Sequence, residues 1–394
     1  MDLSQCLEYR ALPMQFYIFT LSGVWCPSNW TSLLKLSYNM YTTTIAISGI
    51  LFWASMFVNL IITKNESEYF YENVFAISTL TYAMYKEFFV LKKRKEIQQM
   101  LKLSFDDEWY RPFDNREIQI IDHYAHETRW VTQVYAIGII AGLATKAIMP
   151  MLNSNSAWVL PIEAWYPYNT SNLKNYLFAY TQQLMGGIPL ICLHISVDSL
   201  FVGLILQMCI QLKLLQYRLQ KTFSTDIDLQ EEKNIERNIK ISDVIIANYA
   251  FKHQCIFRLG NYLNQEFRGI LAGQVMITIP NICINVYLLS QHRGGITLHL
   301  VDSFLCFTTC LMQIFLYCWY GNKIILLSID VANTAYTTNW LSLNISSKKK
   351  LLTIMVRATR SIQFAAGTFI MNIDSFIEII KTSYSAYRVL QKTS

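Results

Sequence analysis

The sequence contains little charge. Asp, Glu, Lys and Arg make up 15% of its 394 residues, against about 25% in a typical soluble domain. Hydrophobic residues reach 53%, and the mean hydropathy is +0.25. This composition excludes an ordinary soluble globular protein and is typical of a membrane protein. The net charge of +6 is explained by contact with a membrane surface, so we expect membrane lipid and no nucleic acid among the partners.

The sequence also lacks the motifs that carry most enzyme chemistry. It has no phosphate-cradling glycine loop, no Cys-x-x-Cys pair and no Ser, His and Asp arrangement for nucleophilic catalysis. His123 and His126, with Asp122 and Glu127, resemble a metal cluster, but a solvated helix face explains them better. We therefore expect no enzyme, no cofactor and no metal.

Cysteine is absent from every loop that the topology below places outside the cell. Six of the nine cysteines lie in or at the ends of apolar segments, and three lie on the cytoplasmic side. A disulfide framework is therefore not expected. Residues 1–20 lack a basic region leading to a cleavage site, so we expect no cleaved signal peptide.

Seven segments are long and apolar enough to cross a bilayer. They cover approximately 38–63, 69–91, 130–150, 175–210, 269–290, 296–320 and 364–390. The stretches 211–268 and 321–361 mix apolar and charged residues at helical spacing and predict cytoplasmic helical extensions, which form either a common anchor or simple connectors. The predicted fold class is all-α: a polytopic membrane protein with 1–394 as a single membrane domain.

The basic residues alternate between the two sides of these segments. Lys and Arg number 8 in 92–129, 9 in 211–268 and 6 in 321–361, whereas the three loops between them hold only Lys64, Lys174 and Arg293. By the positive-inside tendency the first set is cytoplasmic. Seven spans then place the N-terminus in the cytoplasm and the C-terminus outside the cell.

Glycosylation sequons partly agree with this topology. Asn65 and Asn169 begin Asn-x-Ser/Thr triplets in loops predicted to be external, and we predict glycosylation at both. Asn29 and Asn344 match the same pattern but fall on the predicted cytoplasmic side.

The last segment carries a stripe of polar and charged side chains. Asp374, Glu378, Lys381, Ser385 and Arg388 follow one another at spacings of four, three, four and three residues, so they share one narrow face of a helix. That face does not suit lipid, because each charge at mid-bilayer costs roughly 2.5–3.5 kcal/mol. A spanning helix with this face implies either a water-filled path or a protein neighbour.

Two familiar membrane classes fit the sequence poorly. A G-protein-coupled receptor is disfavoured by the cytoplasmic N-terminus, the lack of an external cysteine pair and the absence of Asp-Arg-Tyr and Asn-Pro-x-x-Tyr motifs. A secondary transporter predicts broken helices at matching positions of two halves. Gly186-Gly187-Ile188-Pro189 is such a break, but it has no counterpart.

The C-terminal third carries a set of short matches that together resemble the signature of insect odorant receptors. The matching residues are Tyr317-Cys318-Trp319-Tyr320-Gly321-Asn322-Lys323, Ser328, Ala335-Tyr336, Trp340, Gly367-Thr368-Phe369 and Lys381-Thr382-Ser383-Tyr384-Ser385-Ala386-Tyr387. Gustatory receptors share the fold but usually end in Gln-Phe, whereas Gln391 is followed by Lys392 here. The family's co-receptor has a longer second cytoplasmic loop, so the chain resembles a tuning subunit.

This resemblance implies an odorant-gated, non-selective cation channel in the plasma membrane of sensory neuron dendrites. It implies a heterotetramer with the odorant receptor co-receptor, in which each final helix lines the pore. Asp374, Glu378, Lys381, Ser385 and Arg388 would then face the pore, and Val389, with Leu390, would form its apolar gate. A gustatory-type ligand-gated channel stays open as an alternative.

The resemblance also implies an apolar pocket for a small volatile odorant in the outer half of the bundle. Aromatic walls supply dispersion, and a few hydroxyl or amide groups orient one polar function. The residues that the predicted topology places there are Phe75, Ser78, Thr79, Tyr82, Gly138, Ala141, Thr145, Tyr176, Tyr180, Gln183, Phe304, Phe307 and Thr308.

Overall fold

The structure is a computed structural model that describes residues 12–63, 70–105, 107–152, 160–225, 235–291 and 298–393. Helices dominate this part of the chain, as the all-α prediction requires. They are α1 (Pro13–Leu21), α2 (Ser32–Thr63), α3 (Phe70–Lys92), α4 (Arg94–Ser104), α5 (Asp107–Tyr110), α6 (Asn115–Leu152), α7 (Leu173–Thr225), α8 (Ile235–Gln291), α9 (Leu298–Tyr336), α10 (Ile345–Ala358) and α11 (Ile373–Thr393). A short 3₁₀ turn, Trp340–Ser342, precedes α10, and two short strands, β1 (Ala365–Ala366) and β2 (Phe369–Ile370), precede α11.

Six of the described helices are long and apolar enough to cross a membrane: α2, α3, α6, α7, α8 and α9. Most of them are longer than a bilayer requires, since about 20 residues suffice and α7 has 53 while α8 has 57. Helix α11 follows as the seventh and carries the predicted stripe. Helix α1 was not predicted from the sequence.

Helix α7 forms the centre of the bundle. It packs against α1, α2, α3, α6, α8 and α9. Its side chains are apolar on nearly all sides, which is the pattern of a helix with no solvent-facing surface. Leu212, Leu214, Leu215 and Leu219 remain fully buried in the predicted cytoplasmic extension. There each leucine contributes about 1.5–3 kcal/mol relative to exposure to water.

The extensions pack together on the cytoplasmic side. Arg218 of α7 donates two hydrogen bonds to the carboxylate of Glu117 on α6, each at 2.9 Å. The guanidinium also lies 4.6 Å from the ring centres of Trp109 and Phe113. Bidentate contact and stacking on aromatic rings are the interactions that arginine makes better than lysine. Within the described residues, the inner part of α7 is therefore packed against α6 and the segment before it and is not a simple connector.

The start of the last span was predicted wrongly. Residues 364–372 do not begin the helix: β1 and β2 pair as a small antiparallel hairpin. Gly367 makes its turn in the left-handed region, at φ 65°. Helix α11 begins only after Asn372, whose side chain accepts a hydrogen bond from the backbone N–H of Ser375 at 2.8 Å, as a capping residue does. The predicted span 364–390 is thus corrected to Ile373–Thr393.

The hairpin fits closely against α9. Phe364 and Met371 are fully buried at its base, and the backbone N–H of Met371 donates to the carbonyl of Phe364 at 2.8 Å. A Cβ atom at Gly321 of α9 would lie 2.2 Å from the carbonyl oxygen of Met371. Only glycine permits this approach, which fixes where α11 begins relative to α9.

Candidate functional site

A cavity of about 190 Å³ lies between α2, α3, α6, α7, α8 and α9, towards their predicted outer ends. For scale, an apolar cavity of about 150 Å³ in another protein accommodates benzene. Most lining side chains are aliphatic or aromatic. They include Phe52, Phe75, Ala76, Leu80, Ala83, Ile139, Leu143, Leu184, Ile188, Leu190, Ile191 and Ile277.

A segment after α6 forms part of the cavity wall. Pro161 and Ile162 line the cavity, and the Gln183 side chain of α7 holds this segment in place. Its amide nitrogen donates to the Ile162 carbonyl at 2.9 Å, and its amide oxygen accepts from the Ile162 N–H at 3.2 Å. The backbone N–H of Trp165 also donates to the Ser55 carbonyl of α2, at 3.0 Å. These bonds fasten the external segment over the cavity.

A buried ion pair lies beneath the cavity. Lys86 of α3 pairs with Asp198 of α7, and both side chains are almost completely buried. Tyr135, Tyr317 and Gln313 also donate to this carboxylate, at 2.7, 2.5 and 2.5 Å. Four donors from α3, α6 and α9 thus converge on one group of α7. Because an unpaired buried charge is costly, this convergence holds the four helices in one arrangement.

Two residues connect this cluster to the cavity wall. His194 lines the cavity, and its two ring nitrogens lie 2.7 Å from Gln313 Nε2 and 3.3 Å from Lys86 Nζ. Gln274 of α8 also lines the cavity, and its amide nitrogen donates to Gln313 Oε1 at 2.8 Å. A ligand in the cavity would therefore contact side chains that are bonded to the ion pair directly or through Gln313.

A second ion pair lies higher in the wall. Lys146 of α6 lines the cavity and donates to Asp302 Oδ2 of α9 at 2.7 Å. Thr145 donates to the other carboxylate oxygen at 3.0 Å.

Four of the thirteen predicted pocket residues line the cavity: Phe75, Thr79, Tyr82 and Gln183. Three more contact its lining residues. The Ser78 hydroxyl donates to Asn281 Oδ1 at 2.8 Å. The Thr145 hydroxyl lies 2.8 Å from the Gly142 carbonyl oxygen, and the Tyr180 hydroxyl donates to the Ala147 carbonyl at 3.1 Å.

The other six lie elsewhere. On α9, Phe304 is 57% exposed and Thr308 is also exposed, so both point away from the bundle, and Phe307 lies outside the lining. On the same helix Cys306, Thr309 and Cys310 line the cavity instead. The remaining predicted residues outside the lining are Gly138, Ala141 and Tyr176. Helices α6 and α9 are apolar on several sides, so the sequence located their depth but not their rotation.

Several lining residues were not predicted: Lys146, His194, Gln274, Asn281 and Gln313. The sequence held a signal for Lys146, because a charged residue inside an apolar span marks a functional position by default. The polar residues of α8 and α9 carried no comparable signal.

The predicted stripe of α11 faces away from the rest of the chain. Ser375, Ile379 and Ser383 are buried and form the side that packs on the bundle. All five stripe residues, Asp374, Glu378, Lys381, Ser385 and Arg388, are exposed on the opposite side. Val389 borders the stripe and is 64% exposed, whereas the Leu390 side chain lies outside the described part.

The sequons have different surroundings. Asn169 is exposed in the segment between α6 and α7, and Asn65 lies outside the described residues. Asn344 accepts a hydrogen bond from the backbone N–H of Ser347 at 2.6 Å and caps α10, which gives this residue a structural role.

Comparison with known proteins identifies the fold. The solved structure of the insect olfactory receptor OR5 from Machilis hrabei in complex with eugenol superposes with a TM-score of 0.83 at 15% sequence identity. The match covers 98% of this chain and 100% of that receptor. A second solved structure of OR5 from Machilis hrabei gives the same TM-score. The predicted seven-helix, all-α membrane fold is confirmed.

Sequence relatives agree with this fold. Odorant receptor 10 of Aedes albopictus is 27% identical over 218 residues, which cover 55% of this chain and 56% of that relative. Odorant receptor 94a of Drosophila melanogaster is 24% identical over 287 residues, covering 70% and 69%. The family model described as 7tm Odorant receptor matches residues 66–384. The chain is therefore a multi-pass membrane protein that belongs to the insect odorant receptor family.

Proposed function

We propose that this chain is the tuning subunit of an odorant-gated, non-selective cation channel. It binds a small volatile in the cavity between α2, α3, α6, α7, α8 and α9, and it assembles with the odorant receptor co-receptor as a heterotetramer. Its α11 lines the pore, and Val389, with Leu390, forms the gate. The channel works in the plasma membrane of sensory neuron dendrites.

The observation that carries this proposal is the connection from the cavity to α11 through α9. Thr309, Cys310 and Gln313 of α9 line the cavity. Two turns further on, Gly321 lies against Met371, immediately before α11. Phe315 also contacts Phe376 of α11, with ring centres 5.4 Å apart. A shift of α9 on ligand binding would therefore reach the pore helix directly.

The exposed stripe on α11 supports the pore assignment. A helix packed on its own subunit through Ser375, Ile379 and Ser383 leaves the charged side to face a common axis in a tetramer. Water in a pore removes the cost that the same charges would have in lipid. The stripe thus needs a partner outside this chain, and a water-filled pore shared with the other subunits supplies it.

Gating follows from differential affinity. A ligand opens the pore only if it binds the open arrangement more tightly than the closed one. About 1.4 kcal/mol of difference shifts the equilibrium tenfold, so a few changed contacts at the cavity wall are sufficient. The solved OR5 structure with eugenol supports the view that this fold admits a small organic molecule.

Whole-cell recording tests this function. Cells with G-protein signalling blocked express this chain, the insect co-receptor or both, while a panel of volatiles is applied. We expect a fast cation current that requires both subunits. A response that the block abolishes would favour a G-protein-coupled receptor instead, and silence despite surface co-assembly would contradict the channel proposal for that panel. Responses confined to non-volatile tastants would favour the gustatory-type channel.

Adjacent positions on α7 offer a matched pair of variants for the cavity. Leu184 lines the cavity, whereas its neighbour Met185 is 49% exposed on the outer surface of the bundle. Leu184→Trp fills the cavity and should abolish or change the odour response. Met185→Trp adds the same side chain outside it and should leave the response intact. Equal effects of both variants on surface-expressed channels would contradict the placement of the ligand.

A further inference from the structure

The ion pair in the upper cavity wall has no role in the gating argument above. The Lys146 and Asp302 side chains are 19% and 6% exposed, and each lies on a helix that is otherwise apolar at this depth. Charged residues inside membrane spans are costly and mark binding or transport functions. The position of Lys146 in the lining of the cavity directs attention to the ligand.

The two partners differ in the hydrogen-bonding capacity that they leave unused. Asp302 accepts from Lys146 at one oxygen and from Thr145 at the other, and the thiol sulfur of Cys306 lies 4.0 Å from it. An ammonium group has three N–H donors. Within the described residues, Lys146 uses one of them. The pair therefore offers the cavity spare donors and few spare acceptors.

Other polar groups of the wall are already engaged. Gln183 uses both ends of its amide on the backbone of Ile162. The Tyr135 hydroxyl donates to Asp198, and both ring nitrogens of His194 lie within hydrogen-bonding distance of neighbouring side chains. The ammonium of Lys146 is thus the strongest donor that the described lining leaves for a ligand.

We infer that Lys146 orients a neutral ligand that carries a hydrogen-bond acceptor, such as a ketone or an ester, within this cavity. The inference rests on the proposed function only in taking the cavity as the ligand site. A hydrocarbon of the same shape leaves the donors unused. A carboxylate brings a second negative charge close to Asp302, and like charges repel strongly where water is scarce. A neutral carbonyl avoids both costs.

Pairs of volatiles that differ in one group provide the test. Acetophenone and α-methylstyrene, and likewise cyclohexanone and methylenecyclohexane, differ only by exchange of the carbonyl oxygen for a methylene group. A hydrogen bond from a charged donor should lower the half-maximal concentration of each ketone about tenfold relative to its hydrocarbon partner. Benzoate should be weaker than acetophenone.

The variant for this test removes both charges together. Lys146→Met/Asp302→Leu leaves neither partner of this pair unpaired, since loss of one partner alone is strongly destabilising. We expect the ketone preference to disappear in it. Lys323→Met/Glu127→Leu is the matched control, because this pair also has a 2.7 Å contact but lies outside the cavity lining. The control should keep the wild-type ketone preference.

Ligand-observed NMR can monitor binding to the purified chain in lipid nanodiscs. It measures the affinity ratio of each ketone to its hydrocarbon partner without a channel. A ketone preference in binding that Lys146→Met/Asp302→Leu removes supports the inference, even if no current is found and the channel proposal fails. Three results would overturn it: equal affinity within each pair for the wild type, an unchanged ratio in the double variant, or no binding of any probe.

Discussion

Replacement of Lys86 by methionine should destabilise the bundle strongly, because it leaves the carboxylate of Asp198 buried without its counter-charge. Removal of one partner of a buried ion pair costs about 3–5 kcal/mol. Here Tyr135, Tyr317 and Gln313 still donate to Asp198, and each hydrogen bond to a charged group retains part of the compensation. We therefore expect Lys86→Met to lie near the lower end of that range, at about 3 kcal/mol.

The first measurement is the apparent melting temperature of the detergent-solubilised chain, determined by size-exclusion chromatography after heating. The second is surface expression in cells. Lys93→Met is the matched control. Lys93 pairs with Glu266 at 2.9 Å, but its side chain is 32% exposed, and partly exposed pairs contribute only about 0–1 kcal/mol. Lys86→Met should lower the melting temperature by several degrees more than this control.

A double variant separates the loss of the charge pair from the loss of packing. Lys86→Met/Asp198→Asn removes the uncompensated charge. An asparagine oxygen in the place of Oδ2 still accepts from Tyr135 and Gln313, and the amide N–H groups face the Tyr317 hydroxyl, whose oxygen accepts from them. The double variant should recover most of the stability lost in Lys86→Met. If Lys86→Met were no worse than Lys93→Met, or if the second substitution deepened the loss, the ion pair would not hold the helices as argued.

Three further predictions concern other parts of the molecule. Gly321→Ala forces the backbone of Met371 away and should cost about 1–3 kcal/mol of stability, as overpacked sites do, and reduce the odour-evoked current. Val389→Ala should raise the basal current in normally trafficked complexes. Hydrogen bonds from Lys221 and Tyr217 hold the pKa of Asp114 well below its usual range. The Asp114 carboxylate therefore stabilises the fold fully above about pH 3.9, and this stabilisation declines as the pH falls through the folded-state pKa. The Asp114→Asn variant should lack this part of the pH dependence in acid unfolding.

Each of these predictions has a contrary result. Unchanged melting and current in Gly321→Ala would mean that the contact with Met371 relaxes freely. Unchanged basal current and odour response in Val389→Ala would remove the gate assignment. An acid-unfolding profile of Asp114→Asn identical to that of the wild type would show that the exposed contacts of Asp114 contribute nothing to stability.

The sequence predicted the depth of the helices better than their ends and rotation. Hydropathy is averaged over about 20 residues, so it located the spans. The same averaging included residues 364–372 in the last apolar segment. The turn at Gly367 and the capping Asn372 were visible in the sequence, yet neither outweighed the hydropathy. Helix α9 is apolar on several faces, so the sequence did not show which face points into the bundle. For this reason Phe304 was assigned to a pocket that Cys306 and Thr309 line instead.

The charged residues inside the spans show which contacts could be predicted from the sequence and which could not. The stripe of α11 was readable because its members are neighbours along one helix. The partners Lys86 and Asp198 are 112 residues apart, and Lys146 and Asp302 are 156 apart, so no local pattern joins them. Yet each of the four is an ionisable residue in an apolar span, which demands a partner in the folded state. In the structure, contacts of α3 with α7 and of α6 with α9 meet that demand, and those two contacts lie below the cavity and in its wall.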